Sequence, residues 1–127
     1  MRRLASALLL CSYASCTNPL GNDRRDIKLH IAALVVPASA PAAGTFTATI
    51  TVETGGCKRF ERFSVTKTPT SAMIEAEGTD AGPDAICTQE IRLEQKTLDL
   101  SGPFSDPFTI TAIQPDESVL TRTVRIR

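Results

Sequence analysis

Five residues in this chain of 127 carry its most reactive side-chain chemistry: Cys11, Cys16, Cys57, Cys87 and the single histidine, His30. A thiol can take a lipid, close a disulfide or ligate a metal, and its surroundings in the sequence separate these uses. A metal site needs further nitrogen, sulfur or carboxylate ligands, so any metal would have to recruit His30, Met73 or loop carboxylates. No C-x-x-C pair is present, which removes a thioredoxin-type redox motif. An imidazole base needs a nucleophile to serve, yet no G-x-S-x-G elbow occurs and His30 lies in a strand-like run, where histidine reads as a surface or packing residue. Glu75 and Glu77 alternate with Ile74 and Ala76, the pattern of an outward strand face rather than a glycosidase pair. Asp80 and Asp84 flank Gly82-Pro83 but supply too few oxygens for a calcium loop. Gly55-Gly56 lacks the lysine and the helix of a phosphate-binding loop. The sequence therefore predicts no enzyme, no cofactor and no metal.

The first two cysteines belong to a segment with its own logic. Arg2 and Arg3 are followed by the apolar "LASALLLCSYA" and then by Ser15 and Cys16, the charged, apolar and small regions of a secretory signal peptide. The apolar part falls short of the roughly 20 residues that a bilayer-spanning helix needs. Residues 1–15 are therefore predicted to be a signal peptide. "YASC" resembles the bacterial lipobox: Ala14 and Ser15 match the small residues before its cysteine, while Tyr13 stands where leucine is usual. The resemblance implies that Cys16 is lipidated and becomes the N-terminus, with residues 16–25 as a polar tether broken by Pro19 and Gly21. The alternative is plain secretory cleavage near Ala14 or Ser15. A second apolar run, "IAALVVPASAPAAG" (31–44), has Pro41 after its small residues and reads as a strand and a turn.

Export leaves Cys57 and Cys87, an even pair in an oxidising compartment, and they are predicted to form a disulfide. Closing a loop of 30 positions would stabilise the domain by roughly 3–4 kcal/mol on the chain-entropy account.

The elements that must hold these residues read as strands. "TFTATITVET" (45–54) alternates strictly, assigning Phe46, Ala48, Ile50 and Val52 to a core and Thr47, Thr49 and Thr51 to an outer face. "IKLHIAALVV" (27–36) reads as one strand ending at Pro37. In "CKRFERFSVTKT" (57–68), Phe63 and Val65 share a face and Phe60 is out of step, which calls for a bulge or opposite packing. Ile74 and Ala76 point inward from 72–78. In 86–100, Ile91 and Leu93 share one parity and Leu98 and Leu100 the other, which predicts a break near Gln95. "FTITAI" and "ESVLTRTVRIR" complete about seven strands separated by Gly/Pro turns. The fold class is all-β, an antiparallel sandwich spanning residues 26–127.

The lipobox-like "ASC", the polar tether and this β domain resemble small immunoglobulin-like domains of bacterial surface lipoproteins. "GGCKRFERFSV" followed by "ICTQ" is similar to uncharacterised members of that group. The resemblance implies an immunoglobulin-like sandwich and carries no catalytic residues. Composition narrows the partners further. Without residues 1–15 the chain holds 12 basic and 14 acidic side chains, a net charge of −2 that offers no attraction to nucleic acid. Lys58, Arg59, Arg62, Arg122, Arg125 and Arg127 alternate with acids or apolar residues and read as solvated strand faces. Tyr13 is the only tyrosine and tryptophan is absent, so the stacking rings of a carbohydrate-binding module are missing after export. The expected function is a non-enzymatic, lipid-anchored module of the bacterial cell envelope that touches the membrane through its anchor and binds or spaces other envelope components. The alternative is a soluble periplasmic carrier of a ligand or metal.

Overall fold

A computed structural model describes residues 24–127. The predicted signal peptide, Cys16 and all but the last residues of the predicted tether lie outside the described residues. Nine strands follow in chain order: β1 (Arg25–Leu29), β2 (Ile31–Val35), β3 (Ser39–Ala40), β4 (Thr45–Thr54), β5 (Arg59–Lys67), β6 (Ser71–Asp80), β7 (Arg92–Ser101), β8 (Phe108–Ile113) and β9 (Val119–Ile126). No helix occurs among the described residues. β2, β4 and β7 form a three-stranded sheet, and β1, β3, β5, β6, β8 and β9 form the second, in a sandwich-like arrangement. The all-β expectation is met.

Pairing is not antiparallel throughout. β6 pairs with β8, and β3 with β9, in parallel. The reason is where each strand begins. β6 starts from the hairpin turn after Lys67, and β8 starts from loop 102–107 at that same end, so both run the same way. β6 is the hub of its sheet: β5 covers one edge along its length, while β8 covers Ser71–Ile74 and β1 covers Ala76–Asp80 on the other.

The predicted strand 27–36 is divided. β1 pairs with β6 in the large sheet and β2 with β4 in the small one, with His30 as the step between them. Ile31 lies opposite Val52. Even-numbered residues of β4 direct their backbone bonds toward β7, so Ile31 has no strand partner for its own N–H and C=O. Gln114 takes both: Ile31 N–H donates to Gln114 Oε1 at 2.8 Å, and Gln114 Nε2 donates to Ile31 O at 2.8 Å. Gln114 is itself buried and sits at the base of the β8–β9 hairpin, where its N–H donates to Ser118 O at 2.9 Å. Further along β2, Arg122 of β9 donates from Nε to Leu34 O at 3.1 Å. Arg122 is exposed, as the sequence reading expects, yet it shares the parity of Leu120 and Val124 and its Nε reaches the other sheet.

Phe46, Ala48, Ile50 and Val52 of β4 are buried, as their alternation predicts, against Ala72, Ile74 and Ala76 of β6 and Phe108, Ile110 and Ala112 of β8. Phe46, Phe104 and Phe108 close the end away from Cys57, with ring centroids 4.8–6.1 Å apart. Phe60 and Phe63 reach one face because the register slips between Phe60 and Arg62, which resolves the parity conflict in favour of a bulge. Two expectations fail. β7 runs unbroken past Gln95, since Ile91 lies before its first residue and the even positions 94, 96, 98 and 100 face inward. Leu93 is therefore exposed, not core. The Ala/Pro loop 37–44 also contributes β3, two residues that pair with the end of β9.

Ile50 is fully buried while Thr49 and Thr51 are partly exposed. Ile50→Ala should lose roughly 2–5 kcal/mol of unfolding free energy, from lost transfer energy and a cavity. Thr49→Ala should lose about 1 kcal/mol or less. Urea titration checks both, and equal losses would contradict a one-sided strand.

Candidate functional site

The end of the sandwich that carries Cys57 gathers most of the features singled out in the sequence. β4 ends at Thr54, Gly55 and Gly56 turn the chain with φ of 108° and 60°, and an isolated bridge from Gly55 to Lys58 starts β5. Positive φ is one reason these two positions are glycine. Close approach is the other, because a Cβ on Gly55 or Gly56 would collide with the carbonyl oxygens of Glu90 and Thr88. The turn is thus laid directly on loop 81–91, which joins β6 to β7.

Cys57 and Cys87 are disulfide-bonded across this contact, with Cα atoms 5.3 Å apart. The sequence expectation of a pair is met, but neither cysteine opens a strand: Cys57 is in the turn and Cys87 in the loop. Loop 81–91 has few bonds of its own, such as Ala85 N–H to Gly82 O at 3.0 Å, so the disulfide and the glycine contact are what fix it. Its apolar side chains face solvent. Ile86 is fully exposed, and Ile91 and the adjoining Leu93 are 72% and 63% exposed.

A cleft of about 590 Å³ lies between the loop and the β1–β2 step, lined by His30, Glu53, Lys28, Asp80, Cys87 and Pro115 among others. A second, of about 510 Å³, lies on the other side of the glycine turn against Arg59, Phe60, Arg92 and Glu94. Charges along both clefts are largely matched. His30 Nδ1 is 3.2 Å from Glu53 Oε1, and Lys28 pairs with Glu75, whose hydrogen bond and charge raise the lysine pKa. Glu90 is held below its usual pKa by the hydrogen bond from Arg92 Nε, at 2.8 Å. Glu94 is lowered chiefly by the Thr54 hydroxyl at 3.0 Å, then by Lys96. A carboxylate lowered in this way adds stability above its unfolded pKa and loses it as pH falls through the folded value. At these exposed sites the effect is small. Outside these pairs stand Lys58, which lines both clefts, and Arg59, which lines the second.

The residues that a metal would need are not brought together. His30 lines the larger cleft. Met73 lies on the outward face of β6, opposite Thr66 and Thr111, and is absent from that lining. Among the described residues no group of three or more His, Cys, Asp or Glu is placed to hold an ion. Asp80 lines the cleft through the β6 terminus, Asp84 lies in the exposed loop, and Glu75 and Glu77 are committed to Lys28 and Arg62. Sequence reading missed the exposed apolar tip, because it assigned Ile91 and Leu93 to a strand face. The acidic Asp84 and Glu90 and the absence of alternation before Arg92 were the available signals.

No protein-family model matches the chain, and neither a curated protein nor a solved structure is similar enough to it to count as a match.

The disulfide predicts a thermodynamic signature. Cys57→Ala and Cys87→Ala should each lower stability by roughly 3–4 kcal/mol, because either breaks the same 30-residue closure. Chemical denaturation of both variants beside reduced native protein checks this, and clearly unequal losses would show that one thiol has a separate role.

Proposed function

We propose that the chain is a non-enzymatic, lipid-anchored module of the bacterial cell envelope, immunoglobulin-like in fold, that binds or spaces other envelope components. On this reading residues 1–15 direct export, Cys16 carries the lipid and the tether leads directly into β1. The observation that carries it is the Cys57–Cys87 disulfide, whose Cys87 is exposed in a domain of this size and suits an oxidising compartment. A first strand divided between two facing sheets supports the immunoglobulin-like assignment.

The same reading implies where the anchor lies. Arg24 lies beside Cys57, Thr79 and Ala81, and Arg25 pairs with Asp80, so the chain enters β1 at the disulfide end. From Cys16 to Arg24 an extended chain spans no more than about 30 Å. Anchored through Cys16, the domain keeps the disulfide end, with Ile86 and Ile91, within about 30 Å of the membrane. Loops 41–44, 68–70 and 102–107 then form the end that meets a partner.

Detergent-phase partitioning tests the anchor. Native protein should enter the detergent phase and Cys16→Ser the aqueous phase, whereas a native protein already aqueous with a free Cys16 thiol would overturn lipidation in favour of plain secretion. A photo-crosslinker at Ser105, in the far loop, should capture an envelope component in intact cells and lose it with Cys16→Ser. Capture that is indifferent to Cys16→Ser would contradict an anchored module.

A further inference from the structure

Among the described residues, β7 leaves one edge of its backbone without a partner. It pairs only with β4, in a continuous register from Thr54↔Arg92 to Thr45↔Ser101. One step beyond, Gly102 N–H donates to Gly44 O at 2.8 Å, which identifies the even-numbered residues of β7 as those bonded to β4. Leu93, Gln95, Thr97 and Asp99 therefore direct their N–H and C=O groups outward. Other outer strands are blunted. β5 carries its bulge among the exposed Arg59, Glu61 and Arg62, β2 is five residues long with a register break, and β3 is two residues between Pro37 and Pro41. β7 has ten residues, no proline and no bulge, the form of edge that accepts another strand.

The charges on β7 restrict what that strand can be. Glu94 and Lys96 face inward along the edge, 3.2 Å apart, Lys96 lying 5.2 Å from the Phe60 ring centroid. Inward charge on an edge strand repels an apolar or unmatched newcomer. A second β7 is not unmatched. In an antiparallel pair related by a two-fold axis, centring on Glu94 sets Glu94 against itself and Arg92 against Lys96. Centring on Lys96 sets Lys96 against itself, and centring on Thr97 leaves Glu94 opposite Leu100 and Lys96 opposite Leu98. Centring on Gln95 sets each Glu94 opposite the other copy's Lys96, keeps the seven residues from Arg92 to Leu98 in overlap, and places Leu93 opposite Thr97 on the outer face. Because odd residues carry the free backbone groups, the facing Gln95 residues form a hydrogen-bonded pair.

We propose that the occupant of this edge is a second copy of the chain, β7 pairing with β7 about Gln95, so that two three-stranded sheets become one of six strands. The same Glu94–Lys96 pair that disfavours other strands selects this one. The pairing uses neither Cys16 nor the disulfide, but its antiparallel sense points the two disulfide ends in opposite directions along the joint sheet, so the strands of an anchored pair lie along the membrane.

Sedimentation of the full chain as the cell processes it, from low micromolar to near-millimolar concentration, tests the pairing. A reversible dimer is expected. Gln95→Lys, at an exposed side chain, should weaken it at least about tenfold by placing like charges on the axis. Glu94→Lys and Lys96→Glu should each weaken it, and the double variant should restore it to within about threefold of native. Amide exchange should slow with concentration at Leu93, Gln95 and Thr97. A protein that stays monomeric throughout, a dimer indifferent to Gln95→Lys, or a double variant no tighter than the single ones would each overturn the proposal.

Discussion

One buried side chain makes the two-sheet arrangement possible. Where the first strand passes from the large sheet to the small one, Ile31 turns its backbone N–H and C=O away from β4, and among the described residues no further strand lies on that side. Gln114 supplies the missing partners from the residue just after β8, offering its amide as acceptor and donor in the geometry a neighbouring strand would use. An unpaired peptide group in a core costs about 1–3 kcal/mol for each lost partner, so without this amide the step at His30 would be expensive. With it, every described buried side-chain nitrogen and oxygen has a partner.

The rest of the molecule depends on that step. Because β1 and β2 lie in different sheets, β1 can cover the half of β6 that β8 leaves open, and β2 can cover β4. The two sheets then face one another across Ile31, Ile50, Ile74 and Ile110, all essentially inaccessible to water. Arg122 fastens the other end of β2. The disulfide end depends on the arrangement differently. It contributes little apolar burial, and its loop is held by one covalent bond and by two glycines that let backbone meet backbone. The domain thus separates a rigid, self-satisfied interior from periphery that is exposed and free to make contacts.

Sequence alternation revealed the strands whose two faces differ. β4, β6 and β8 have threonine or glutamate on one side and apolar residues on the other, and their parity is correct. It was silent on what depends on distant partners. "IKLHIAALVV" is apolar enough to run straight, and only the need of β6 for a partner beyond Ile74 explains why it steps at His30. Gln114 sits in a polar turn sequence, where nothing local marks it as buried. β7 misled because its inward positions include Glu94 and Lys96, charges tolerated at a sheet edge but unlike a core pattern. Of the site, the cysteine pairing was legible from count and compartment, whereas the exposed Ile86 and the clustering of His30 with the disulfide required the fold.

The most direct measurement is the unfolding free energy of Gln114→Ala, with amide exchange at Ile31 followed in the same sample. Loss of roughly 2–6 kcal/mol is expected, the sum of two stranded peptide groups, together with selective acceleration of Ile31 exchange. A loss below about 1 kcal/mol with Ile31 still protected would mean that the strand step is held by something other than this amide, and would contradict the placement of Gln114 as the link between the sheets.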